Sequence, residues 1–147
     1  MDADKTARQC AERMYAADAA SQALGIAISD VAPGSAIASM RVRDDMTNGH
    51  GICHGGYIFT LADTAFAFAC NTYDDVTVAA GADITFLEPV SNGADLIATA
   101  VELNRRGRSG LYDVTVRTDD GAVVAEFRGR SRSLGRPLLE GPGLEPR

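Results

Sequence analysis

The segment that most limits the fold is the run from Tyr57 to about Asn71, which is apolar on nearly every face of a helix. A helix without a polar face cannot lie on a surface, so other elements must enclose it. Thr60, Asp63 and Thr64 interrupt the run, which is also too short to span a bilayer, so it belongs inside a folded domain. A glycine-rich loop, Asn48-Gly49-His50-Gly51-Ile52-Cys53-His54-Gly55-Gly56, leads directly into it.

The rest of the chain reads as the material that does the enclosing. Residues from about Asp4 to Ala23 carry no Gly or Pro and favour a helix. Leu24 to Val31 and Ser35 to Val42 read as a hairpin turned at Pro33-Gly34, with a polar stretch from Arg43 to Asn48 after it. Four further strands follow, at Val76 to Leu87, Asp95 to Asn104, Gly110 to Thr118 and Ala122 to Ser133. Turns at Pro89 to Gly93, Arg105 to Ser109 and Asp119-Asp120-Gly121 separate them, and the order predicts a four-strand meander. Arg128, Arg130 and Arg132 alternate along the last strand and are expected to form a solvated face. The sum is an α+β domain in which one antiparallel sheet surrounds one long helix.

With 147 residues, 46% of them hydrophobic and 23% charged, the chain fits one globular domain. That domain is expected to occupy residues 1–134, with 135–147, rich in Gly and Pro, as a loosely held tail. The net charge of -6 argues against a general nucleic-acid binder, whose footprint would be basic. Cys10, Cys53 and Cys70 form neither a paired framework nor a CxxC spacing, and the first twenty residues lack the pattern of a signal peptide. A reduced, cytoplasmic setting without membrane insertion is therefore expected. Cys53 beside His54 is not read as a nucleophile and base, since such pairs are assembled in space rather than along the chain.

Asp63 is the only charged side chain between His54 and Tyr73, and it falls in the middle of the enclosed helix. Burying an ionised carboxylate costs several kcal/mol unless it is paired or hydrogen-bonded, so its presence calls for a structural partner or for catalysis. At the start of the same helix, Gly55 and Gly56 leave backbone N–H groups uncrowded at a positively polarised terminus that suits an oxyanion. Hydrolysis of an acyl thioester needs such a donor on the carbonyl oxygen and a base or nucleophile near the carbonyl carbon. Gly55 and Asp63 are eight residues apart, about 12 Å along a helix axis. Groups acting on one carbonyl can be only roughly 7 Å apart, so the spacing favours Gly55 from one subunit and Asp63 from another.

The glycine loop, the segment Leu61-Ala62-Asp63-Thr64-Ala65, the strand Asp83 to Pro89 and the closing Phe127 to Ser131 resemble the PaaI-type hotdog thioesterases of phenylacetate degradation over most of the chain. The resemblance implies a hotdog fold: a curved antiparallel β-sheet wrapped around a long central helix, here with an additional N-terminal helix. It also implies a dimer, or a tetramer as a dimer of dimers, with active sites between subunits. It assigns Asp63 as nucleophile or general base, the Gly55 N–H as the group polarising the thioester carbonyl, and Asn48 as a loop residue that positions the attacking group. The implied substrate is phenylacetyl-CoA or a ring-hydroxylated relative, hydrolysed to clear dead-end thioesters and free coenzyme A.

Coenzyme A carries phosphates, and Arg105, Arg106 and Arg108 in one turn offer guanidinium groups to hold them. No separate cofactor is expected, and His50 and His54 alone make a poor metal site. His54 is expected to bond backbone in the glycine loop, although a hotdog enoyl-thioester hydratase or dehydratase would pair it with Asp63 as catalytic groups. A non-catalytic acyl-CoA-binding module is the remaining alternative. Phe59, Phe66 and Phe68 read as ordinary core.

Overall fold

The structure, a computed structural model, describes residues 2–140. In chain order the elements are α1 (Ala3–Ala16), α2 (Ala19–Ala23), β1 (Ala27–Ala32), β2 (Ser35–Arg41), α3 (Gly55–Cys70), β3 (Thr77–Phe86), β4 (Asp95–Arg106), β5 (Ser109–Thr118) and β6 (Val123–Ser133). All six strands form one antiparallel sheet in the order β1-β2-β4-β5-β6-β3, curved around α3 in a hotdog fold. Among the described residues, no helix is long and apolar enough to cross a membrane.

Enclosure of α3 follows from its composition. Ile58, Leu61, Ala62, Ala65, Phe66, Phe68, Ala69 and Cys70 are buried, facing a strand layer that contributes Ala36, Ala38, Leu96, Ala98, Ala100, Val114, Val116 and Phe127. Small residues let helix and sheet approach closely. A Cβ placed on Gly129 would lie 2.8 Å from three atoms of the Phe66 ring, so the ring lies flat on strand backbone. The opposite face of the sheet is solvated: Arg128 pairs with Asp113 on β5, and Arg130 with Asp83 on β3.

The sheet order corrects the expected four-strand meander. β4, β5 and β6 do follow one another, but β3 pairs with β6 and forms an edge, while β2 and β4 pair through seven consecutive residues. Pro89 to Gly93 is therefore part of a crossover and not a hairpin turn. Its backbone is occupied elsewhere: Val90 O accepts from the Cys53 N–H, and the Gly93 N–H donates to Val42 O.

The N-terminal helix also departs from the expectation of one helix to Ala23. It stops at Ala16 and restarts at Ala19, because the Asp18 carboxylate accepts from the Ser21 N–H at 2.9 Å and from its hydroxyl. An Asp in that position caps a new helix instead of continuing the old one.

Past β6, Leu138 is buried against Cys10 and Val76, and Asp74 Oδ1 accepts from the Leu138 and Leu139 N–H groups at 3.0 and 2.8 Å. The remainder of the expected loose tail, 141–147, lies outside the described residues.

Candidate active site

The glycine loop is shaped by Asn48. Its Oδ1 accepts from the His50 N–H at 2.9 Å and the Ile52 N–H at 3.4 Å, while its own N–H donates to Ile52 O. With Oδ1 so used, the side-chain amide N–H groups have no acceptor among the described residues. Gly51, at φ +76°, makes the reversal that a side chain would strain. The loop then docks through the His54 N–H on Met46 O and the Cys53 N–H on Val90 O.

His54 caps α3. Its Nδ1 accepts from the Gly56 N–H at 3.0 Å, which makes Nδ1 an acceptor and places the ring proton on Nε2. Gly55 precedes the capped residue, and its N–H has no acceptor among the described residues. An open N–H at the positive end of a sixteen-residue helix is a donor available to an incoming oxygen.

This donor opens on a cleft of about 460 Å³. Asn48 and Gly55 line it together with the apolar walls Ile52, Ile58, Phe86 and Val90. The volume is that of a small-molecule site, with few polar groups on apolar walls. Phe86 was not singled out by sequence reasoning. The signal available was an aromatic residue ending a strand three residues before Pro89.

Asp63 does not line this cleft. It lies two turns farther along α3, half-buried, with no hydrogen bond or ion pair among the described residues, and burial pushes its carboxyl above the ordinary carboxylate value. The protomer therefore brings Asn48, His54 and Gly55 together and leaves Asp63 on a separate stretch of the same helix. Burial likewise pushes up the Cys53 thiol, which donates to its neighbour's carbonyl and offers no ready thiolate.

Of the three turn arginines, Arg105 and Arg108 line one pocket and Arg106 a separate groove. The Arg105 guanidinium stacks 3.7 Å above the Tyr73 ring, and Arg108 packs beside Gly135. Arg106 points to the other face of β4 and shares a groove with Arg130 and Arg132. Strand register puts Arg106 level with Val78, whereas Phe86 is level with Ala98, eight residues along β4. That separation is about 26 Å at strand rise, so within one protomer the arginines lie far from the Gly55 cleft.

Comparison with known proteins finds acyl-coenzyme A thioesterases among the relatives. A model of the "Thioesterase superfamily" matches residues 50–125. The acyl-coenzyme A thioesterase PaaI of Escherichia coli is 43% identical over 127 residues, 86% of this chain and 91% of the relative. The human acyl-coenzyme A thioesterase 13 is 31% identical over 115 residues, 75% of this chain and 80% of its own length. The solved structure of the E. coli PaaI protein from the phenylacetic acid degradation operon superimposes with a TM-score of 0.90 at 41% identity, covering 92% of this chain and 99% of that one.

Proposed function

The chain belongs to the thioesterase superfamily and is an acyl-CoA thioesterase of the PaaI type; from that premise we propose that it hydrolyses phenylacetyl-CoA or a ring-hydroxylated relative at a site shared between two subunits. One observation carries this reading. Asp63 is desolvated and unpartnered in its own protomer, and the open Gly55 N–H two turns away faces a cleft that Asp63 does not reach.

In the proposed reaction, the thioester carbonyl oxygen accepts from the Gly55 N–H of one subunit. The Asp63 carboxylate of the second subunit either attacks the carbonyl carbon or takes a proton from an attacking water. The negative charge that develops on the oxygen is stabilised by the helix terminus, the C–S bond breaks, and free acid and coenzyme A thiol leave. The Asn48 side-chain amide has free donors with which to hold the water or the carboxylate in place. His54 acts through its cap on Gly56, which fixes the first turn that presents Gly55. His54 does not line the cleft, which argues against the hydratase scheme, in which the imidazole would have to exchange a proton with substrate there.

Substrate choice draws on the operon of the E. coli relative and on the apolar cleft. Arg106, with Arg130 and Arg132, is the arginine set best placed to take coenzyme A phosphates from a neighbouring subunit's substrate, because its groove adjoins Ala80 of the edge strand β3. The unpaired cysteines accord with a cytoplasmic enzyme.

Initial rates of free-thiol release from phenylacetyl-CoA, a short alkyl-CoA and a hydroxybenzoyl-CoA test the reading in wild type and Asp63→Ala. Aryl-selective turnover that falls at least about a hundredfold in the variant, roughly 2.7 kcal/mol of transition-state stabilisation, is the expected result. Full activity in the variant, or binding without turnover in wild type, would overturn it.

A further inference from the structure

Gly55 has no backbone reason to be glycine, since its φ lies outside the left-handed region and the first turn of a helix accepts most residues. A side chain there would press on the tip of the Phe86 ring. A Cβ on Gly55 would sit 2.9 Å from Phe86 Cζ and 3.3 Å from both Cε atoms. The ring therefore stands tip-first on the residue whose N–H is open.

The position of Phe86 follows from the pleat. It ends β3 in register with Ala125, a buried residue facing α3, so its side chain is sent to the helix side of the sheet. There it meets the start of α3 and retains 50% of its surface exposed, with Leu87 beside it at 51%. Large apolar side chains left open in a cleft otherwise walled by Ile52, Ile58 and Val90 mark a surface that a ligand covers.

We propose that Phe86 is a specificity-determining residue of the acyl site: its ring is the wall against which the acyl group packs, and its tip sets how closely a thioester carbonyl approaches the Gly55 N–H. This rests on the thioesterase reading above and assigns the acyl class at that site. A flat aryl group gains offset or edge contact with the ring that an alkyl chain of similar length does not. Gly55 and Phe86 act as one unit, because a methyl group on Gly55 displaces the ring, and loss of the ring makes room for the methyl group.

The test measures kcat/KM for phenylacetyl-CoA and hexanoyl-CoA in the full-length enzyme as wild type, Phe86→Ala, Phe86→Tyr, Gly55→Ala and the Gly55→Ala/Phe86→Ala double variant. Phe86→Ala should lower the phenylacetyl-to-hexanoyl ratio at least tenfold, and Phe86→Tyr should keep it within about threefold of wild type. Gly55→Ala should lower both activities at least tenfold, and the double variant should recover at least threefold of the hexanoyl activity, a coupling that independent sites would not show. An unchanged ratio in Phe86→Ala, or a double variant whose losses multiply, overturns the assignment. If Asp63→Ala abolishes turnover while the ratio ignores Phe86, only this inference falls; if wild type releases no thiol from either ester, the proposed substrate falls with it.

Discussion

Asp63 is a carboxylate that its own fold desolvates without giving it a partner, and two measurable consequences follow. Burial disfavours the charged form, so the folded chain holds this proton more tightly than the unfolded chain, whose carboxyl keeps its ordinary value of 3.8. Between those two values the folded state binds the extra proton, and stability falls as pH rises through the window; above it the penalty is fully present. Asp63→Asn should therefore melt higher than wild type at neutral pH and lose that advantage below pH 3.8, which thermal melts across the range would check. The proposed mechanism uses the ionised form, so the acid limb of kcat/KM should lie above the ordinary carboxylate value and disappear with the residual rate in Asp63→Asn. Asp63 was legible in the sequence because a single charge interrupts an apolar helix. Phe86 was not, because an aromatic residue near a strand end reads the same whether it points into the core or over a helix terminus.

At the scale of elements, α3 could be read from composition alone, since apolarity on all faces admits only an enclosed helix. The site of β3 could not. Alternation tells which face a strand side chain takes, but it does not name the partner strand, and Pro89 to Gly93 carries the residues of a turn whether it closes a hairpin or crosses the sheet. What holds β3 next to the helix it follows is Asn71. Its amide donates to Ala67 O and Thr77 O, both at 2.9 Å, and its Oδ1 accepts from the Thr77 N–H at 2.9 Å, all from a buried position. Replacing it with Ala leaves the Thr77 N–H and carbonyl without these partners where water has little access. Asn71→Ala should cost about 1–3 kcal/mol in urea denaturation, with most of the change in the midpoint and little in the slope.

The two edges of the whole sheet differ. β1 is short, with a register shift between Ser29 and Ala32 and a left-handed Asp30 that blunts it against pairing. β3 spans ten residues, and its centre, Ala79-Ala80-Gly81-Ala82, is small enough for another backbone to approach, with one register shift beside Ala80. Pairing two copies antiparallel along β3 would extend the sheet across a two-fold axis and give each Gly55 cleft a neighbour from the other copy, which the helical spacing of Gly55 and Asp63 requires for a shared site. The arrangement has a consequence that a site within one protomer lacks. Asn48→Ala and Asp63→Ala should each be nearly inactive alone, yet a mixed dimer of the two joins an intact Asn48 cleft to an intact Asp63 at one of its two sites. Random exchange makes half of the dimers mixed, so unfolding and refolding an equal mixture should restore about one quarter of wild-type turnover, against nothing above the parents if each protomer works alone. Thiol-release rates before and after exchange, with each parent refolded by itself as control, decide between a site that spans two chains and one that does not.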